Sequence, residues 1–284
     1  MSRPMYDPVD NLIHKIYRFL SANDKRNVRQ MVTNARSDAD VKLSMDKIAY
    51  IVTRHVKQAH LKPDDNRQDF IVSKITAFLR AHAPSIMNAY LAAADIGGGN
   101  GNVLSGINND VHGDRERFTC VENISNWSET YDFNHTNISY TFWDNQSIHI
   151  ADHSCDVVFC MVSLHHMTDE VVAVALAEIR RILKPAGLLM IKEHDANSPS
   201  AKQLIDWEHH LYHILDCAYS GQTLNYEMYK RTTNNFKSKE TWKKMIETYS
   251  FKFGVRTNRF LDGPYIADDA KNATNLYWDV YTKV

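Results

Sequence analysis

The chain has 284 residues, 44% of them hydrophobic, with 33 Lys and Arg against 34 Asp and Glu. That apolar share is enough for a substantial buried core. No apolar run approaches the ~18 residues that a membrane-spanning helix needs, and the opening stretch Met1–Asp7 lacks a signal-type apolar segment. The four cysteines, Cys120, Cys155, Cys160 and Cys217, form no CxxC pair and read as buried thiols in a reducing, cytoplasmic setting. The near-neutral total hides an asymmetry. Residues 1–90 hold 15 Lys and Arg against 9 Asp and Glu, and the remainder is acidic. A basic N-terminal region suits an anionic partner, and it equally suits a solvated helical surface.

In chain order, residues 1–88 read as helices. Val9, Leu12, Ile13, Ile16 and Leu20 recur at helical spacing. So do Val41, Met45, Ile48, Val52 and Val56, and then Phe70, Ile71, Ile75, Phe78 and Leu79. Pro63 and Pro84 punctuate these runs. No strand is expected before residue 89, so 1–88 is read as a helical extension or lid and 89–284 as the principal domain. From there strand and helix alternate. Strands are expected at Tyr90–Asp95, Phe118–Val121, Ile138–Phe142, Cys155–Val162 and Leu188–Lys192, with a strong helix over Thr168–Leu183 N-capped by Thr168 or Asp169. Such alternation predicts a parallel sheet covered on both faces. Two late strands, Phe251–Phe260 and Leu276–Thr282, flank the turn signal Asp262-Gly263-Pro264 and predict an antiparallel pair. The region at about 196–250, rich in aromatic residues, lies between the fifth strand and the late pair and is a candidate substrate-side insertion. Trp207, Tyr212, Tyr219, Tyr226, Tyr229, Phe236 and Trp242, with Lys230, Arg231 and Lys237 among them, suit either helix packing or stacking on a ring.

The chemistry concentrates at the carboxyl ends of the expected strands, where open α/β sheets bind ligands. Asp95-Ile96-Gly97-Gly98-Gly99-Asn100-Gly101 follows the first strand. Glycine there allows a sharp turn and close approach of backbone to ligand. Glu122 ends the second strand, and a carboxylate at that place has acceptors for both hydroxyls of a ribose. Asp144 follows the third strand and suits an adenine amino group. The fourth ends in Met161-Val162-Ser163-Leu164-His165-His166. A dinucleotide fingerprint asks for G-x-G-x-x-G, whereas this loop runs G-x-G-x-G.

The order of these motifs resembles the class I S-adenosylmethionine-dependent methyltransferases, within them the methyltransferase type 11 and ubiquinone-biosynthesis-like subgroup. The family's glycine motif matches Asp95–Gly101, its ribose acid Glu122, its adenine-side acid Asp144, and its Leu-His-His segment Leu164-His165-His166. Its Leu-Lys-Pro-Gly-Gly turn matches Leu183–Gly187 with Ala186 in place of one glycine. The resemblance covers about 90–195 in detail. It implies a seven-stranded, mostly parallel, doubly wound Rossmann-like sheet with an antiparallel C-terminal hairpin. It also implies S-adenosyl-L-methionine as cofactor, held by Asp95, Gly97, Gly98, Gly99, Gly101, Glu122, Asn123, Asp144, Asn145 and Met161. His165 and His194 are the candidate catalytic residues. His165 is either a general base or a pocket-shaping residue. Glu193-His194-Asp195 either faces the substrate or caps the helix near Ser198.

No metal site is expected, since no spaced Cys/His set completes the histidines of 206–212. The acceptor is a small molecule or an RNA, an RNA cap included. Three nucleic-acid classes are disfavoured. Asp/Asn-Pro-Pro-Tyr is missing after the fourth strand, Cys160 lacks a preceding proline, and no acid sits where a ribose-directed tetrad needs one. The alternative is a catalytically silent subunit of the same fold that acts as a binding partner or activator.

Overall fold

The computed structural model describes residues 7–60, 66–87, 90–123, 133–226, 235–257 and 276–284. The expected turn at 262–264 and the residues Tyr229, Lys230 and Arg231 lie outside them. The described chain forms two compact units. One is built from residues within 1–64 and 196–232, the other from those within 65–195, 233–263 and 276–284.

The first unit is helical. It contains α1 (Pro8–Ile16), α2 (Ala22–Asn34), α3 (Asp38–Ala59) and α7 (Pro199–Ser220). Polar side chains start each helix. Asp7 accepts from Val9 N–H, Ser21 from Asp24 N–H, and Ser198 from Ala201 N–H, while Ser37 and Asp40 form a reciprocal capping box. The stripes expected from sequence point inward. Leu12, Ile13 and Ile16 of α1, Val28 and Val32 of α2, and Met45, Ile48, Val52 and Val56 of α3 share one core with Trp207, Leu211 and Ile214 of α7. The Tyr17 hydroxyl donates to Leu211 O at 2.8 Å, and Lys15 Nζ meets Glu208 Oε1 at 2.6 Å with both side chains buried. The insertion read from sequence as substrate-side therefore supplies α7 to the same core as the N-terminal helices. Pairing of Lys15 with Glu208 offsets the large desolvation penalty that either ion would carry alone.

The second unit is a sheet covered by helices on both faces. Its strands are β1 (Ala93–Ile96), β2 (Phe118–Asn123), β3 (Ser139–Trp143), β4 (Cys155–Met161), β5 (Leu183–His194), β6 (Phe251–Thr257) and β7 (Leu276–Lys283), in the order β3-β2-β1-β4-β5-β7-β6. β1 to β5 pair in parallel, while β7 runs antiparallel to both β5 and β6. This is the expected Rossmann-like architecture with its antiparallel C-terminal pair. Helix α4 (Asn66–His82) packs on α5 (Asn102–Val111) over one face, with Thr76 donating to Asp110 at 2.8 Å. Helices α6 (Asp169–Ile182) and α8 (Lys239–Glu247) cover the other. Thr168 caps α6, as its sequence predicts. β5 is longer than the expected Leu188–Lys192. Leu183 already pairs with Cys155, a register shift follows, and Ala186 takes the left-handed conformation (φ 59°). The strand order reverses between β1 and β4, which places the crevice at their carboxyl ends.

Candidate active site at the carboxyl ends of the strands

Asp95 lies in β1, paired with Cys120 of β2 and Phe159 of β4, and is 1% exposed. Its Oδ1 is buried and has no hydrogen-bond partner. Burial is the main force that pushes its pKa up to about 8, and the neighbouring Glu122 charge adds to it. The chain then turns sharply. Gly97 adopts φ 72° and donates to Val121 O, and a Cβ on it would fall 2.5 Å from that of Ser163. A Cβ on Gly98 would lie 2.8 Å from Asp95 Oδ2 and 2.9 Å from Cys120 Sγ. Gly101 is the N-cap of α5, so the loop ends on a helix N-terminus with its unpaired N–H groups.

Glu122 closes this half of the site. Its Oε2 accepts from Gly99 N–H at 2.8 Å and its Oε1 from Asn123 N–H at 3.1 Å. Burial raises its pKa, and the two N–H donors work against that rise. Each carboxylate oxygen retains a further lone pair. Asn123 in turn donates to the Asn145 side chain. The structure thus gathers Asp95, the glycine loop, Glu122, Asn123 and Asn145 at the ends of β1 to β3. Asp144 is exposed. Its Oδ1 accepts from Gln146 and Ser147 N–H groups, which lower its pKa. Met161 is half-buried at the end of β4.

The second half grows from β4 and β5. Val162 sits at φ 58°, a conformation that β-branched residues rarely adopt. Its N–H is held by Lys192 O at 2.7 Å, and Ser163 Oγ donates to Ile96 O at 2.8 Å. These ties lock the strained turn against the base of the glycine loop. Then comes a 3-10 turn, Leu164–His166. His165 is wholly buried, with Nδ1 2.7 Å from Glu193 Oε2. Glu193 Oε1 accepts from Leu164 N–H at 3.0 Å and His165 N–H at 3.4 Å, and Oε2 accepts from His194 N–H at 3.3 Å. Burial raises the Glu193 carboxyl to about 7, while His194 and the backbone donors pull it down. The His194 ring lies 5.7 Å from that of His165 and is 3% exposed. Both candidate catalytic residues therefore gather around one carboxylate.

Glu193 is the residue whose role sequence reasoning left open. It is wholly buried and does not cap the helix near Ser198. It clamps the turn after β4, and α7 is capped by Ser198 itself. Asp195 accepts from Lys239 N–H at 3.0 Å and Lys239 Nζ at 3.1 Å, and so ties β5 to the start of α8. Local sequence carries no signal for either contact, because both depend on the register between distant segments. Of the insertion aromatics, Trp207, Phe236 and Trp242 are buried. The helix-packing reading holds for Trp207 and Trp242, while Phe236 lies outside any helix and against His165.

Residues 94–191 match the model of a family described as a methyltransferase domain. The chain matches none of the curated proteins. Among solved structures, it is similar to the CurJ carbon methyltransferase at 16% identity and a TM-score of 0.51, covering 98% of this chain and 72% of that one. It is also similar to a chain of the complex between the Haloferax volcanii Trm112 methyltransferase activator and a methyltransferase, at 13% identity and a TM-score of 0.48, over 78% and 99% of the two chains. A S-adenosylmethionine-dependent methyltransferase from Aquifex aeolicus gives 13% identity and a TM-score of 0.45, over 75% and 97%. At these identities the likeness is one of fold.

Proposed function

We propose, from the match of residues 94–191 to a family described as a methyltransferase domain, that this protein transfers a methyl group from S-adenosyl-L-methionine to a small-molecule or RNA nucleophile. The observation that carries the reading is the buried Asp95 carboxyl with its unpartnered oxygen, beside a loop whose Gly98 backbone packs so closely that a Cβ there would collide with Asp95 and Cys120. A buried acceptor without a donor costs about 1–3 kcal/mol. A purely architectural domain gains nothing from that arrangement, whereas a ligand with a cationic or hydroxyl donor would satisfy it.

When bound, the cofactor supplies an electrophilic methyl group on a sulfonium. The chain's own residues hold it. Asp95 and the N–H groups at the start of α5 receive polar groups. The remaining Glu122 lone pairs accept hydroxyls, with Asn123, Asp144, Asn145 and Met161 lining the rest. On the acceptor side, Glu193 fixes the orientation of His165 through Nδ1. This leaves the opposite ring nitrogen as the one that takes a proton from an acceptor that must lose one. An acceptor nitrogen that is already unprotonated, as in an RNA cap, needs no such step. The basic surplus in residues 1–90 is assigned to an anionic partner, and the setting to the cytoplasm. One observation favours the second reading, a silent subunit of the same fold: both His165 and His194 are closed to solvent.

Titration calorimetry with S-adenosylmethionine and S-adenosylhomocysteine tests the proposal. Micromolar binding is expected, weakened roughly tenfold or more in Asp95→Ala and in Glu122→Ala, since each loses a charge-assisted contact of ~1.5–3 kcal/mol. Equal affinity in wild type and both variants would refute the site assignment. Tight binding without turnover on any cap or small-molecule acceptor would favour the silent subunit.

A further inference from the structure

A proton acceptor that is 0% exposed must be uncovered before it meets an external substrate, and residues 235–239 lie over it. The Phe236 ring, 6% exposed, is 4.9 Å from that of His165, tilted by 37°, and 6.4 Å from that of His194, edge-on. The segment is fastened at each end. Asn235 N–H donates to His165 O at 2.7 Å, and its amide donates to Met167 O at 3.1 Å and Asp169 Oδ1 at 2.6 Å. Lys237 Nζ bridges Asp169 and the Asn235 amide oxygen at 2.7 and 2.6 Å. At the other end Lys239 is tied to Asp195.

We infer that Phe236 controls acceptor access to the His165–Glu193 pair, and that the segment 235–239 lifts from the ends of β4 and β5 to admit a substrate. The inference rests on the reading of His165 as a proton acceptor. Three features support it. The ring touches both candidate catalytic histidines. Each of the two ion-pair fastenings has one solvent-exposed partner, Asp169 and Lys239, where water competes for the contact, while Lys237 and Asp195 are largely buried. The groups it covers, by contrast, are anchored by Glu193 from within the sheet and stay in place when the segment moves. Closed, the phenyl ring excludes water from the imidazole. Open, it presents an apolar wall to the acceptor, so acceptors with an apolar body beside the reacting atom are favoured.

The test is site-resolved modification of histidines by diethyl pyrocarbonate on the full chain, read by peptide mass spectrometry. The exposed His60 and His112 serve as internal references. In wild type, His165 and His194 should label slowly against the references. Phe236→Ala should accelerate both by about tenfold or more. Lys237→Met keeps the ring but loses the Asp169 tie. It should also accelerate both, with His60 and His112 unchanged. Slow labelling of His165 in Phe236→Ala would show that another group controls access. Slow labelling in Lys237→Met would show a fixed plug. Either result overturns the inference. Binding of S-adenosylhomocysteine, measured on the same samples, reports separately on the cofactor reading. Loss of binding in wild type would refute that reading whatever the labelling shows.

Discussion

Two buried carboxylates stand at opposite halves of one crevice and are treated in opposite ways. Glu193 receives three backbone N–H groups and an imidazole. Asp95 is buried just as deeply, yet one of its oxygens receives nothing. A satisfied buried carboxylate organises its neighbours, here the strained turn after β4 and the orientation of His165. An unsatisfied one is a local loss of stability that only a ligand recovers. The contrast separates architecture from binding within a few strand ends.

The largest effect should come from the satisfied side. Glu193→Ala leaves His165 Nδ1 and the three N–H groups without their acceptor. It should cost about 3–5 kcal/mol in urea unfolding, the range for breaking a buried pair. A loss below about 1 kcal/mol would place Glu193 outside the architecture. On the other side, Gly98→Ala should lower affinity for S-adenosylhomocysteine by about ten- to a hundredfold with the fold retained. Its Cβ would meet Asp95 Oδ2 at 2.8 Å and Cys120 Sγ at 2.9 Å and force the Asp95 carboxyl to shift. Unchanged affinity there would deny the position of Asp95 its role.

Asp95→Asn should separate the two halves most cleanly, by weakening cofactor binding while raising stability. Removing an acid that must take up a proton to stay buried is worth ~1–3 kcal/mol, about 2–5 °C in melting temperature for a chain this size. A lower melting temperature would mean that Asp95 has a hidden structural partner. The pH dependence has the matching sign. The folded-state pKa of Asp95, about 8, lies above the ordinary 3.8. The contribution of its protonated form is complete below about pH 4 and is lost as pH rises to 8. Ligand-free protein should therefore lose stability across that range by more than the Asp95→Asn variant does, as differential scanning calorimetry would report. The smallest effect lies outside both carboxylates. Ala186→Gly relieves φ 59° in an exposed turn and should stabilise by about 0.5–1 kcal/mol without touching cofactor affinity.

Much of the Asp95 half was legible in the sequence. The glycine loop, Glu122, Asn123 and Asn145 sit at strand ends, and strand ends can be read from apolar runs and turn residues. The alternation of β1 to β5 and the late antiparallel pair followed from the same local signals. The Glu193 half was only partly legible. Leu164-His165-His166 stands out as a motif, but its clamp lies 28 residues away on β5, and the bond forms because β4 and β5 pair in a particular register. The cover at Phe236 depends on a still longer return of the chain. The membership of α7 in the helical core was hidden for a similar reason. Aromatic and apolar residues in 199–220 mark a buried helix, but nothing local says which core receives it. Asp144 shows what a motif match leaves out. Its position matched a motif, yet the side chain spends one oxygen on its own turn.

The central claim is that Asp95 is held ready for a cofactor, and proton counting tests it most directly. Calorimetric titration of S-adenosylmethionine at pH 7, in buffers of different ionisation enthalpy, reads the protons exchanged on binding. With the free carboxyl at about 8, engagement of its ionised form should release close to one proton per site. Asp95→Asn should abolish that release. Micromolar binding with no proton released, or no binding at all, would contradict the account.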